Sequence, residues 1–296
     1  IRLYERRAII QKVFPDSPAQ EAGLKAGDFI LAADGTDLSE VETLKKVSKA
    51  LQGREGSTAH LTLERDGERI EVEVTRAVIH RSVVEHRLLA PGLGYVRMVD
   101  FPDQVSGDLT AALAALREQA PELRGLVLDV RWNQGGFLDE AVRVADLFLA
   151  DGIIVRTRSR HPSDDRVYRA EPGGPAEALP MVVLVNAFSA SAAEVVAGAL
   201  QDHNRARLVG TTTYGKGAVN KRFSLPDGSG LLLTTGQYYL PGGRQIEGKG
   251  LQPNREVPPP SREQVKATPP GAEPPDPQRD AALRLLRRQL GEPQSP

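Results

Sequence analysis

The sequence predicts a two-domain protein in which a small β-rich domain precedes a mixed α/β core, so that α+β and α/β character are combined. The chain has 296 residues, more than one ordinary core holds and enough for two domains. Residues 1–77 contain short apolar runs separated by Gly, Pro and Asp-Gly turns, a pattern typical of small β domains. Residues 78–256 alternate strand-like and helix-like runs, as α/β domains do.

Turn residues mark the elements of the first region. Asp34-Gly35 and Asp66-Gly67 are tight-turn signals between strand-like runs. Ser17 followed by Pro18 predicts the capped start of a short helix. The predicted elements, in order, are a strand over 8–13, a short helix from Pro18, a strand over 29–33, a helix over 39–51, and a hairpin of 60–64 with 69–74.

The second region, residues 78–256, is predicted to carry the protein's larger core. Its predicted elements are strands over 94–98, 126–130, 181–185 and 230–239, and helices over 106–119, 138–149 and 192–200. Prolines crowd residues 257–279, which is typical of an extended linker. Residues 280–296 are predicted as a short helix and tail. One apolar face of that helix is expected to dock on the core or on a second subunit; it consists of Leu283, Leu286 and Leu290.

The charge, the apolar runs and the cysteine content of the chain limit the kinds of partner and site that the protein can have. The formal net charge is −1, which gives no reason to expect nucleic acid or an anionic membrane as a partner. No apolar run approaches the ~20 residues that span a bilayer. The chain starts at Ile1 without a signal peptide, so any export signal is expected to have been removed or never present. The chain has no cysteine, which excludes disulfides, a thiolate nucleophile and zinc–thiolate sites.

Ser191 and Lys216 are the residues whose surroundings best suit catalysis. Ser191 opens a helix-like run directly after a buried-strand pattern, and Lys216 lies in a glycine-flanked turn. A serine becomes a nucleophile when a base takes its proton, and a desolvated lysine can be that base. Chemistry alone leaves alternatives open. Ser191 can be only a helix cap, Ser189 is a rival nucleophile, and the spacing before Lys216 fits a phosphate-binding loop, although Gly217 follows where Ser or Thr is needed.

Both segments closely resemble the C-terminal processing proteases, tail-specific serine proteases with a Ser–Lys dyad. Residues 186–202 resemble the family's nucleophile segment, Ser/Thr-Ala-Ser-Ala-Ser-Glu, and residues 213–217 resemble its Phe-Gly-Lys-Gly segment at the same separation. The resemblance implies that Ser191, rather than Ser189, attacks the scissile carbonyl and that Lys216 is the general base. It also implies the backbone N–H of Ala192 as one donor to the oxyanion.

Residues 129–136 resemble a third family segment, Asp-Leu-Arg-x-Asn-x-Gly-Gly. The resemblance implies that the N–H of Gly135 or Gly136 is the second oxyanion donor, since glycine lets a backbone approach the substrate closely. The same glycines would also serve a plain strand-to-helix turn. Trp132, the only tryptophan, either lines the cleft or packs internally. No metal or cofactor is expected.

Asn220 departs from the family, which commonly has glutamine there to orient the lysine. Asparagine is one methylene shorter, so it either orients Lys216 from a closer backbone or leaves the dyad weaker. The alternative function is therefore a catalytically silent scaffold that binds peptides through its first domain. Three further residues match positions that the family often keeps near the site, and they are expected to support it: Thr213, Glu194 and Asp202.

Residues 8–77 resemble a PDZ domain through Ser-Pro-Ala, Ala-Gly-Leu-x-x-Gly-Asp-x-Ile-Leu and Asp-Gly. The resemblance implies that this domain binds the free C-terminus of an unstructured polypeptide substrate and gates the core. The chain begins at about the peptide-binding strand, so the loop that holds the substrate carboxylate is expected to be absent, which weakens the expectation of gating. The family also implies an exported, periplasmic or cell-envelope protein that forms homo-oligomers.

A Ser-His-Asp triad is the other serine-protease chemistry, and the positions of the five histidines argue against it. His203 follows Ser191 along one predicted helix, whose rise puts them about 18 Å apart. His60 belongs to the first domain, and three others lack a motif context: His80, His86 and His161. The chain has no His-Glu-x-x-His, so a zinc protease is unsupported.

Overall fold

The computed structural model describes residues 1–292 except 5, 12, 14–16, 79–82, 262 and 265–273, and it leaves the side chains of Arg2 and Arg222 undescribed. His80, one of the five histidines considered above, therefore lies outside the described part. The chain divides into two compact units, Ile1–Arg81 and Ser82–Pro296. The predicted fold class is confirmed, since the first unit is mainly β-structure and the second is mixed α/β.

The N-terminal unit is an antiparallel sheet with two short helices, in the strand order β1-β2-β3-β5-β6 with β4 paired to β3. Its strands are β1 (Arg2–Tyr4), β2 (Arg7–Ile9), β3 (Phe29–Ala33), β4 (Thr36–Asp37), β5 (Thr58–Arg65) and β6 (Glu68–Thr75). Its helices are α1 (Pro18–Glu21) and α2 (Leu44–Leu51).

The turn and cap signals of this unit are confirmed. Both Asp-Gly turns join neighbouring strands, with positive φ at Asp34 and Asp66 as two-residue hairpin turns require. The Ser17 hydroxyl accepts a hydrogen bond from the N–H of Gln20 and caps α1. The predicted helix start at residue 39 is wrong. The N–H of Val41 donates to the Arg6 carbonyl and not to a carbonyl one helical turn earlier, so α2 begins only at Leu44.

The C-terminal unit contains two sheets. Its strands are β7 (Val84–Ala90), β8 (Leu93–Met98), β9 (Gly125–Asp129), β10 (Ile153–Ser159), β11 (Arg166–Arg169), β12 (Met181–Val185), β13 (Arg207–Gly210), β14 (Ala218–Ser224), β15 (Gly230–Tyr239) and β16 (Arg255–Glu256). The larger sheet has the order β16-β13-β12-β9-β8-β7, parallel except for β7. The smaller, antiparallel sheet has the order β11-β10-β15-β14.

Both faces of the larger sheet are covered by helices. These are α3 (Val105–Gln119), α4 (Leu138–Asp146), α5 (Ala192–Asp202) and α6 (Pro277–Gln289). Strand β12 shows the arrangement. Met181, Val183 and Val185 pack in the core that holds α3, α4 and α5, while Val182 and Leu184 pack in the core that holds α6. Such a doubly covered parallel strand is apolar at every position, as the sequence shows.

The C-terminal helix packs on the core of its own chain, which is one of the two predicted alternatives; the other was a second subunit. Ala281, Ala282 and Leu286 are buried against the larger sheet. The helix begins at Pro277 instead of residue 280, because the Asp276 carboxylate accepts the N–H of Arg279 and Pro277 suits a first helical position. Helix α4 ends three residues before its predicted end, at Asp146.

Candidate active site

Three loops leave neighbouring parallel strands at the same edge of the larger sheet. They follow β9, β12 and β13, and they carry the glycine pair, Ser191 and Lys216 respectively. Carboxyl ends of parallel strands meet at one edge, which is where open α/β sheets bind ligands. The topology therefore assembles segments that lie up to 80 residues apart, from 136 to 216, in one place.

Ser191 lies at the sharp turn from β12 into α5. It is the N-cap residue, with φ 56° and ψ −118°, a conformation that residues other than glycine rarely adopt. Such a backbone costs about 1–3 kcal/mol and recurs at functional sites. The residue is only 7% exposed. The N–H of Ala192, the first residue of the helix, has no hydrogen-bond partner among the described residues, so it stays available to an anion at the helix start.

Gly135 fits against the nucleophile segment. A Cβ built on Gly135 would lie 2.7 Å from the Ser191 Cβ and 2.9 Å from the nitrogen of Ala192. The N–H of Gly135 already donates to the Asn133 Oδ1 at 2.8 Å. The neighbouring N–H of Gly136 has no partner in the described part of the chain, and Gly136 is exposed. Of the two predicted glycine donors, Gly136 is therefore the one whose N–H is free to reach an oxyanion.

Glu194 joins the serine loop to the lysine loop. Its carboxylate is fully buried and accepts four hydrogen bonds. The N–H groups of Ser191 and Lys216 donate to Oε2 at 2.9 and 2.8 Å, and the N–H of Gly215 donates to Oε1 at 2.7 Å. The hydroxyl of Thr213 also donates to Oε1. One side chain thus fixes the backbone of both predicted dyad residues.

Lys216 is half-buried in the loop between β13 and β14. Its ammonium group forms no ion pair or hydrogen bond with any residue that the structure describes. The desolvation expected of a lysine base is therefore partial here. The N–H groups of Gly215 and Lys216 are not available to a phosphate, because both already donate to the Glu194 carboxylate.

Asn220 lies on β14 and points to the neighbouring strand. The register shifts between Val219 and Asn220, a bulge that re-aims the side chain. Its Oδ1 accepts a hydrogen bond from the Thr234 hydroxyl at 2.8 Å, and the residue is exposed. No hydrogen bond between Asn220 and Lys216 is found, so the orienting role of Asn220 stays a prediction.

Tyr238 is a neighbour of the nucleophile that the sequence analysis missed. Its hydroxyl lies close enough to the Ser191 side chain to be influenced by it, and the residue is 6% exposed. Burial raises the pKa of Tyr238, and the nearby Ser191 side chain only partly offsets that rise, so the phenol stays protonated near neutral pH. No local signal marks this residue, because β15 reaches the site from a different sheet.

A largely buried ion-pair network lies next to the glycine loop and supports it. Arg131 donates to Asp129 and to Asp276 at 2.7 Å each, and the Tyr95 hydroxyl donates to Asp129 at 2.7 Å. Burial alone would lower the pKa of Arg131, but its hydrogen bonds with Asp276 and Asp129 raise it above the usual value. Asp276 caps α6, so the C-terminal helix is tied to the loop that carries Gly135 and Gly136.

The remaining candidates have structural partners. The Ser189 hydroxyl is fully buried, donates to the Val130 carbonyl at 2.8 Å and accepts the N–H of Asn186 at 3.0 Å, which leaves it no role as a nucleophile. His203 Nε2 donates to the Ile153 carbonyl at 2.7 Å. Asp202 pairs with Arg244 at 2.8 Å at the far end of α5, away from Ser191.

The described residues contain neither a cluster of metal ligands nor a membrane-spanning helix. No group of three or more His, Asp or Glu side chains there is placed to hold a metal ion. None of the described helices combines the length and the apolar character that crossing a membrane requires.

Comparison with known proteins gives matches over both units. The sequence profile of peptidase family S41 matches residues 92–257, and that of the PDZ domain matches residues 1–75. The carboxy-terminal-processing protease of Bartonella bacilliformis is 39% identical over 264 residues, which cover 87% of this chain and 60% of that protein. The carboxyl-terminal-processing protease of Synechocystis sp. is 36% identical over 276 residues, which cover 91% of this chain and 62% of that protein.

A solved structure agrees with these matches. The photosystem II D1 C-terminal processing protease superposes with a TM-score of 0.54 at 32% identity, covering 86% of this chain and 69% of that one. The chain spans about 60% of the length of the two curated relatives.

Proposed function

The chain belongs to peptidase family S41, and from that premise we propose that it is a serine endopeptidase that cleaves unstructured polypeptides with free C-termini. The observation that carries the proposal is the Glu194 carboxylate, which binds the backbone N–H groups of both Ser191 and Lys216. A shared, buried acceptor of this kind holds a nucleophile and its base in a fixed relation. The names of the relatives give independent support.

In the proposed mechanism, the Ser191 oxygen attacks the scissile carbonyl while the neutral Lys216 amine takes the hydroxyl proton. The N–H groups of Gly136 and Ala192 donate to the oxyanion of the tetrahedral intermediate. The C–N bond then breaks, and Lys216 returns the proton to the leaving amine. Water next attacks the acyl-enzyme, again with Lys216 as base, and Ser191 is released with its proton.

Strand β1 supports a role of the N-terminal unit in binding a peptide. It lies at one edge of its sheet, pairing only with β2 among the described strands. An edge strand can accept an extended peptide as an additional strand, the mode that PDZ domains use. We propose that this edge binds the substrate tail and regulates cleavage, in line with the PDZ profile match.

The test is cleavage of β-casein over several hours at pH 7 to 9 by the wild type, Ser191→Ala and Lys216→Ala. Cleavage by the wild type alone is the expected result. Equal cleavage by all three proteins would refute the dyad. If none cleaves, Asn220→Gln is tested next, because glutamine reaches one methylene further towards Lys216. A protein that binds tails but stays inactive in all these forms would be the silent scaffold, which the Glu194 connection disfavours.

Two further proposals come from the family resemblance. We propose that the protein acts outside the cytoplasm, in the periplasm or cell envelope, and that it assembles as a homo-oligomer. Fractionation of the source cells tests the first, and light scattering of the purified protein tests the second. A cytoplasmic fraction or a monomer at micromolar concentration would contradict them.

A further inference from the structure

We propose that Trp132 and Phe188 form a subsite for a large apolar side chain of the polypeptide substrate, close to the scissile bond. The two rings are stacked, with centroids 4.2 Å apart and planes 12° from parallel. They are 58% and 49% exposed, so an apolar surface faces solvent at this point. This inference rests on the proposed peptidase function and deepens it.

The backbone holds the stacked pair in place. The side-chain oxygen of Asn186 accepts hydrogen bonds from the N–H groups of both Trp132 and Phe188, each at 3.0 Å. Trp132 has φ 64°, a left-handed conformation that is unusual for a bulky residue and that is maintained by these contacts. Rings that are fixed before a ligand arrives lose little freedom on binding.

The stacked pair is continuous with the proposed catalytic centre. The N–H of Ala190 donates to the Asn133 carbonyl at 2.9 Å, which joins the two loops between the rings and Ser191. Each ring lies three residues before a site residue, Gly135 on one loop and Ser191 on the other. Three residues span at most about 10 Å, so a substrate residue within about three positions of the scissile bond reaches the rings.

A cavity of about 840 Å³ opens beside the rings. Its volume is in the range of sites that bind small organic groups. Tyr95 and the prolines Pro259, Pro260, Pro274 and Pro275 add apolar lining, and charged side chains, among them Arg131 and Asp276, line the rest of the cavity. The room and the lining suit a large aliphatic or aromatic side chain and the peptide that carries it.

Exposed aromatic rings gather around the same loops. In the described part of the chain six aromatic residues are exposed, and four of them lie on the loops of the proposed site. Besides the stacked pair, these are Phe137, next to Gly136, and Tyr214, two residues before Lys216. A cluster of solvent-exposed aromatic rings on a folded protein marks a surface that binds a partner. An unfolded polypeptide with apolar residues is the partner whose path crosses all three loops.

The first experiment maps β-casein cleavage sites by mass spectrometry for the wild type, Trp132→Ala, Phe188→Ala and Phe188→Leu. Sites with a large apolar residue within three positions of the scissile bond should slow about tenfold in the alanine variants relative to other sites. Phe188→Leu should restore most of that loss. The control Phe223→Ala removes an exposed ring from β14 and should change no preference. A uniform loss at all sites, or no loss, would overturn the subsite.

The second experiment needs no cleavage. Trp132 is the only tryptophan, so the fluorescence of Ser191→Ala reports directly on the rings. A dodecapeptide with one Phe in a Gly/Ser host should shift the emission saturably, and the same peptide with Ser for Phe should not. If the Phe peptide binds but no variant cleaves, the subsite stands and the peptidase proposal fails. Equal responses to both peptides, or an emission that depends only on protein concentration, would refute the subsite.

Discussion

Replacing Glu194 with glutamine tests whether the carboxylate that joins the two loops controls catalysis. Glutamine has the same size and keeps one oxygen. Its amide group donates where the carboxylate accepted, so one pair of donors must lose its acceptor. With the amide at the Oε1 position, the Thr213 hydroxyl can turn and accept, and only the N–H of Gly215 is left unpaired. The opposite orientation would leave two backbone N–H groups unpaired.

The expected size of the effect follows from the number of buried N–H groups that lose their acceptor. One buried N–H without an acceptor costs about 1–3 kcal/mol. Because the unpaired N–H belongs to Gly215, the residue before Lys216 in the lysine loop, we expect kcat on a fluorogenic peptide to fall by about 10- to 100-fold, at about 1.4 kcal/mol per factor of ten. Chemical denaturation should show a loss of unfolding free energy of the same order.

Glu140→Gln is the matched control. Glu140 is also buried, on α4, and its carboxylate accepts the N–H of Ser106 at 2.9 Å and pairs with Arg143. Glu140→Gln should lose comparable stability and keep wild-type kcat at a temperature where both variants are folded. A Glu194→Gln protein with wild-type kcat would show that the carboxylate only stabilises the fold, and equal kcat losses in both variants would show that activity merely follows stability.

Three further changes have defined outcomes. Gly135→Ala places a methyl group 2.7 Å from the Ser191 Cβ at φ 100°, so peptidase assays should show at least about a 100-fold loss of kcat. Tyr238→Phe removes a polar group beside Ser191 that can compete with the lysine for the serine hydroxyl, so kcat should rise about two- to tenfold with little change in melting temperature; a fall would contradict the reasoning. Burial opposes ionisation of Asp276, but Arg131 outweighs it and lowers the pKa of that carboxyl. Asp276→Asn should therefore cost about 3 kcal/mol at pH 7, a gap that denaturation curves should show closing below about pH 4 as the wild-type carboxylate protonates.

Local signals in the sequence predicted several elements correctly. The Asp-Gly turns need only two adjacent residues, and the Ser17 cap needs four, so neighbours in the chain decide them. Residues 181–185 formed the predicted strand because a run that is apolar at every position fits only a doubly covered strand. The predicted start of α2 was wrong because the contact that decides it, from the Val41 N–H to the Arg6 carbonyl, joins residues far apart in the chain.

The sequence by itself determined the fold class and identified Ser191, Lys216 and the glycine pair as candidate catalytic residues. It could do so because those residues lie in short segments that match family motifs. Only the tertiary structure decided their partners. Glu194 meets Lys216 across 22 residues, Tyr238 reaches Ser191 from a second sheet, and Asn220 turns to Thr234 at a bulge. Such contacts depend on strand order and register, and these are set by the packing of the whole unit rather than by any local run of residues.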